Sequence, residues 1–175
     1  MTASEYDTWP EDIFQVLTEH QVRQVAYVPD VGHTQLIELC HNNQEMKTVV
    51  LTTEEEGVAM LAGAWLGGDR GALLMQSSGV GNCINMLSLP RVCRIPLLML
   101  VTMRGEWGEF NPWQIPMGQN TQKALTLAGA ITFPVDDGRR VRDAVEAAAR
   151  MAFEGCAATA VLISQRILGA KTFGK

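Results

Sequence analysis

Six short runs of the chain carry almost no polar interruption: QVAYV at 24–28, KTVVL at 47–51, GALLMQ at 71–76, PLLMLV at 96–101, AITFPV at 130–135 and TAVLIS at 159–164. A strand with one face in water alternates apolar and polar residues. A run that is apolar throughout needs cover on both faces. The stretches between the runs have helical spacing. Asp12–Gln21 sets Ile13, Val16 and Leu17 on one side, behind Pro10. His33–Asn42 does the same with Leu36, Ile37, Leu39 and Cys40, and Asp137–Gly155 with Val141, Ala144, Val145, Ala148 and Met151. Buried strands joined through helices predict an α/β fold: three αβα layers around a doubly wound, mostly parallel six-stranded sheet. With 175 residues and no repeat, low-complexity segment or linker, the chain is expected to form one domain over 1–175.

In such a sheet, ligands gather at the carboxyl ends of the strands. The turns there are VPDVGH after the first strand, TTEEEG after the second, SSGVGN after the third, and TMRGEWGEFNPWQIPMGQ (102–119) after the fourth. The last is expected to be a long loop, and loops of that length in compact domains are commonly functional. Its Trp107, Phe110 and Trp113 need something to pack on, which points to a surface completed by another chain.

The net charge of −5 disfavours general binding to nucleic acid or anionic membranes. No apolar run reaches membrane-spanning length, and the acidic start MTASEYDTWPED is not a secretory signal, so the cytoplasm is the expected location. Cys40, Cys83, Cys93 and Cys156 form no C-x-x-C pair and do not cluster with His20, His33 or His41. Free thiols are expected rather than a zinc site or a disulfide framework.

The segment LTTEEEGVAMLAGAWLGG (51–68) places three glutamates ahead of twelve uncharged residues. Thr53 and Glu56 have the spacing of a capping box, and acidic side chains suit a helix N-terminus. That explains Glu56 and Glu54 better than Glu55. Glu55 is expected to share a stripe with Val58, Ala59, Ala62, Trp65 and Leu66. A carboxylate leading an apolar stripe is desolvated, which raises its pKa and suits it to sharing a proton. The helix that follows, rich in Gly and Ala, is expected to be buried all round, with its outer face against a second subunit.

Three motifs in order give the chain a resemblance to the pyrimidine-binding domain of thiamine-diphosphate-dependent decarboxylases. They are YVPD, then Glu55-Glu56-Gly57-Val58 running into AGAWLGG, then SSGVGNCINML. Within that superfamily the chain looks most like the separate alpha subunit of sulfopyruvate decarboxylases, or the equivalent half of phosphonopyruvate decarboxylases. The resemblance implies that a glutamate bonds N1′ of the cofactor's aminopyrimidine and shares a proton with it. This activates the cofactor for attack on a 2-oxo acid that then loses CO2. Glu55 is expected in that role, with Glu54 in its place should the helix start one residue differently. Pro29, Gly79, Gly81 and Asn82 would lie against the cofactor. Asp30 and His33 would serve as acid–base groups at the reacting carbon. Gln119 would line the substrate pocket, and Arg104 would meet the tail of an anionic substrate.

Full-length members also carry a Gly-Asp-Gly…Asn motif that holds Mg²⁺ and the diphosphate. VDDGRR (135–140) opens an amphipathic helix and lacks the trailing pattern. The resemblance therefore implies no metal site here, and a separate beta subunit that supplies Mg²⁺ and the diphosphate site. Gly79-x-Gly81 is followed by Ile84 where a dinucleotide fingerprint needs a third glycine, which disfavours an NAD-binding module. Two alternatives remain open at this point. One is a non-catalytic pyrimidine-like domain that assembles with or regulates an enzyme. The other is a stand-alone flavodoxin-like module, which predicts a stable monomer.

Overall fold

In the computed structural model, which describes residues 8–169, six parallel strands form one sheet in the order β2-β1-β3-β4-β6-β5. The strands are β1 (Val22–Tyr27), β2 (Lys47–Val50), β3 (Arg70–Gln76), β4 (Leu97–Thr102), β5 (Ile131–Val135) and β6 (Ala158–Ile163). The expected α/β class, layer count and strand number all hold, and the sheet is wholly parallel. β4 is buried at every position, and β3 and β6 at all but their ends. β2 and β5 are the half-exposed edges. Pro134 is tolerated in β5 because an edge strand has one side free of ladder bonds.

Among the described residues eight α-helices complete the layers: α1 (Trp9–Glu19), α2 (Thr34–Asn42), α3 (Glu54–Leu66), α4 (Ser77–Cys83), α5 (Ser88–Cys93), α6 (Ile115–Leu127), α7 (Val141–Phe153) and α8 (Gln165–Leu168). One core joins α1, α2 and α7 to the sheet through Ile13, Leu17, Leu36, Val145 and Ala148. The other joins α3, α4 and α6 to the opposite face through Val58, Leu61, Val80, Cys83 and Leu125. The chain steps outward from β1 to β2 and returns to β3 on the far side of β1. This puts a topological switch point at the carboxyl ends of β1 and β3.

Three local expectations are corrected. The segment SSGVGN is helix rather than turn, since α4 starts directly after Gln76. The 102–119 stretch is not loop throughout, because α6 begins at Ile115 with Pro116 in its first turn. And the inward stripe of α3 is not the expected one. Glu54, Gly57, Val58, Leu61, Ala62 and Ala64 face inward, whereas Glu55, Ala59, Gly63 and Leu66 are exposed. The inward stripe runs one residue out of step with the expected one.

Candidate active site

The turns after β2 and β3 meet at the switch point. Thr53 is extended and α3 starts at Glu54, so all three glutamates occupy its first turn. There they face the positive end of the helix dipole. The capping box forms only in part. Glu56 Oε2 accepts from the amide of Thr52 at 2.9 Å, one residue before the cap, and Thr53 makes no side-chain cap bond. The buried carboxylate is that of Glu54, 7% exposed. It accepts a 2.8 Å bond from Asn82 Nδ2 on α4. Gly79, also on α4, lets it in: a Cβ at that position would overlap the Glu54 carboxyl group. Glu55, next to it, is exposed, as are Gly81 and Asn82. Burial pushes the Cys83 thiol up to about 12, helped by the charges of Glu54 and Glu55, so both carboxylates act on α4.

Asp30 stands at the end of β1 and is held on both oxygens. Oδ1 accepts from Gln76 Nε2 at 2.8 Å. Oδ2 accepts from Thr102 Oγ1 at 2.6 Å and from the Gly32 amide at 3.1 Å. The side chain thereby caps the 3-10 turn Val31–His33 and ties the ends of β1, β3 and β4 together. This is the geometry of an anchor, and it differs from the free acid–base group expected at Asp30. His33 departs further from expectation. Its ring is fully buried, and Nε2 bonds the carbonyl oxygen of Leu100 at 3.0 Å. Burial lowers its pKa more than the Asp30 charge and the backbone bonds with Leu100 and Met75 raise it. In the single chain the ring is wholly buried against β4, which favours its neutral form.

Arg104 borders a hollow with Asp30 and Val31 and is already paired. Its side chain is 9% exposed and closes a forked pair with Glu109, Nε and Nη2 each donating at 2.7 Å. Burial alone would raise the Glu109 carboxyl. Arg104 and the amides of Asn111 and Gly105 outweigh that and hold it at about 2. Arg104 is thus neutralised within the chain. Pro29 is exposed and borders a shallow hollow with Tyr27, Asp30 and Val31. Gln119 opens instead into a cleft of about 470 Å³ beyond β4, lined with Glu106, Gln122, Asp136 and Ser164. The structure therefore joins Glu54, Gly79 and Asn82 directly, sets Glu55 and Gly81 on the same rim, and places Gln119 across β4 from them. Gln76 and Thr102, which hold Asp30, were missed, and so were Glu109 and Gln165, which bond the stretch after β4 to itself and to α8. The signal for three of them was position, since each stands at or just after the carboxyl end of a strand.

No group of His, Cys, Asp and Glu among the described residues could hold a metal ion. No helix among them is long and apolar enough to cross a membrane. The four cysteines are free thiols; Cys40 and Cys83 are buried, whereas Cys93 and Cys156 are exposed rather than buried or half-buried.

Comparison with known proteins gives the arrangement a context. Residues 8–125 match the family model described as thiamine pyrophosphate enzyme, N-terminal TPP binding domain. Sulfopyruvate decarboxylase subunit alpha of Methanococcus maripaludis is 34% identical over 148 residues, covering 82% of this chain and 89% of that subunit. Phosphonopyruvate decarboxylase of Streptomyces viridochromogenes is 39% identical over 118 residues, covering 66% of this chain but only 30% of that enzyme. The structure of a 2-oxoglutarate:ferredoxin oxidoreductase from Magnetococcus marinus shares the fold, with a TM-score of 0.75 over 91% of this chain and 29% of that one, at 14% identity. The chain belongs to the family of N-terminal, pyrimidine-binding domains of thiamine-diphosphate enzymes.

Proposed function

We propose that this chain is a subunit of a thiamine-diphosphate-dependent 2-oxo acid decarboxylase, acting on a small anionic substrate of the sulfopyruvate or phosphonopyruvate kind. The observation that carries this is the pair of carboxylates at the start of α3. One is locked to Asn82 over Gly79 and the other is open on the rim beside them. This set suits an aminopyrimidine. The exposed Gly81 leaves the backbone of α4 open to a flat ring, and an adjacent carboxyl group can share a proton with a ring nitrogen. When bound, the cofactor supplies the electron sink into which CO2 is lost.

Glu55 holds the shared proton in this reading. It is exposed in the single chain and becomes shielded from water when a second chain closes over the rim, and that desolvation is what raises a carboxyl pKa. Glu54 positions the turn through Asn82. Asp30 fixes the ends of three strands, and Pro29 borders the hollow next to them. The chain's own charge at these turns comes chiefly from Asp30, Glu54, Glu55 and Glu56, with Arg104 already paired. The cations for a diphosphate, Mg²⁺ included, and for the substrate's anionic tail are therefore assigned to a partner subunit. The names of the alpha-subunit relatives support that division, as does the chain's coverage of 89% of one of them.

The test is decarboxylation of 2-oxo acids by the chain together with a partner carrying a Gly-Asp-Gly diphosphate site. Glu55→Gln should lower kcat by about a hundredfold or more, the scale for losing a general acid–base group. Glu54→Gln, which keeps an acceptor for Asn82, should cost far less. Full activity in Glu55→Gln would overturn the assignment, and loss in Glu54→Gln alone would transfer it to Glu54.

A further inference from the structure

The segment 104–114 leaves β4 and folds back onto its own start. A Cβ on Gly105, whose φ is +77°, would overlap the carbonyl of Gln114, and one on Gly118 would overlap the carbonyl of Arg104. Ends this close define a compact Ω-shaped loop. Its centre is polar. The Glu109 side chain, 3% exposed, accepts from Nε and Nη2 of Arg104, from the amides of Gly105 (3.2 Å) and Asn111 (3.0 Å), and from Gln165 Nε2 (3.0 Å). Gln165 Oε1 in turn accepts from the amides of Glu106 and Trp107. Glu106 Oε1 accepts from the Gln165 amide at 2.8 Å and from Ser164 Oγ at 2.6 Å. The loop is thus bound to the start of α8 as well as to itself. A carboxylate withdrawn from water is costly unless every such partner is in place, so the network is set up to hold one shape.

What the network holds is apolar and faces outward: Trp107 is 42% exposed, Phe110 40% and Trp113 83%. The Arg166 guanidinium stands over Trp107 at 5.3 Å, and much of the surface of the three rings is left to water. Rigid aromatics held in place before contact are what an interface uses as anchors, since little freedom is lost when they are covered. We propose that Glu109 is the positioning residue of a docking surface, fixing the 104–114 loop so that Trp107, Phe110 and Trp113 meet the partner subunit already in shape. The inference rests on the subunit reading given above.

Two variants test it. In Glu109→Gln the amide cannot match the guanidinium charge. Amide hydrogen exchange over 105–113 in the chain alone should rise about tenfold or more, with β4 and β6 still protected. The Kd for the partner subunit should rise by about tenfold or more, while kcat at saturating partner is kept. Trp113→Ala should weaken pairing to a similar extent with loop exchange unchanged. Should Glu109→Gln fold poorly, Gln165→Met removes the donor to Glu109 together with the acceptor of the Glu106 and Trp107 amides, and is read by the same exchange measurement. Wild-type exchange in these latch variants overturns the positioning role, and wild-type pairing in both Glu109→Gln and Trp113→Ala overturns the docking role. A wild-type chain that pairs with no diphosphate-site partner brings down the docking role and the subunit reading together. Pairing with undiminished activity in Glu55→Gln brings down only the catalytic assignment.

Discussion

A one-residue difference in register decides which glutamate is inside. Counting from Glu55 gives a plausible apolar stripe, yet the helix turns so that Glu54, Val58, Leu61 and Ala62 face the sheet. Periodicity could not separate these choices, because nearly every residue of α3 after Glu56 is apolar or small and no polar face marks the outside. The notable residues at the edge were legible as a group, but their partners were not. Nothing local tells that Asp30 will be saturated by Gln76 and Thr102, which lie on β3 and β4. His33 shows the same limit, and it carries a prediction. Its ring is neutral in the fold and charges more readily once the chain unfolds. Acidification below the ordinary histidine value of about 6.5 therefore favours the unfolded state, with a limiting slope of about 1.4 kcal/mol per pH unit for one proton. Urea unfolding at pH 7, 6 and 5 should show stability falling across this window. In His33→Gln, which keeps a donor for the Leu100 carbonyl, the part of the slope belonging to this ring should vanish. Equal slopes in the two proteins would show that His33 does not titrate differently on folding.

At the scale of elements, the six strands were readable because continuous apolar runs have few other uses in a chain of this composition. The helices were readable where a polar face contrasts with an apolar one, as in α7, and unreadable where it does not. In α6 the inward residues are Gly118, Thr121 and Leu125, of which only one is a large hydrophobe, so the helix merged with the loop before it. The short α4 reads as a turn because Gly79 and Gly81 are poor helix formers. Its glycine at 79 is explained by the carboxyl group packed on it. The start of α3 separates two jobs that its sequence runs together. Glu56 satisfies the Thr52 amide, whereas Glu55 bonds, among the described residues, to no group that would fix it as Glu54 and Glu56 are fixed. Glu56→Ala should accordingly lower unfolding free energy by about 1 kcal/mol, the usual cost of a lost N-terminal cap bond, with turnover unchanged. Glu55→Gln should leave the denaturation midpoint where it is and lower turnover by about a hundredfold or more. Chemical denaturation and activity measured on the same samples check the pair, and the reverse pattern would exchange the roles.

The whole molecule is lopsided. The layer of α1, α2 and α7 is bound across its surface by polar pairs, Arg142 with Glu19 and His20 and Arg150 with Glu146, and among the described residues the large hydrophobes exposed beyond a third on it are Met151, at 41%, and Val31, at 69%, in the turn before α2. The layer of α3 to α6 exposes Leu66 at 79%, Val92 at 79%, Leu127 at 83% and Ile84 at 37%, beside Ala59 and Gly63 on α3. Scattered exposed hydrophobes need no explanation, but the concentration of them on one of two otherwise equivalent layers does. It is the remnant of the expectation that α3 is covered on its outer side: the cover is real only if another chain supplies it. Since these side chains are already in water in the single chain, replacing them should cost little stability, within about 0.5 kcal/mol for a surface change. Leu66→Glu and Leu127→Lys should therefore fold with wild-type midpoints yet raise the Kd for the partner subunit by about tenfold or more, equivalent to about 1.4 kcal/mol. Met151→Lys, on the opposite layer, should change neither quantity. Sedimentation velocity of each variant with the partner subunit separates the outcomes. If Met151→Lys weakens assembly as much as Leu66→Glu and Leu127→Lys do, the asymmetry of the layers carries no information about where the partner sits, and the rim of Glu55 would have to be closed from another direction.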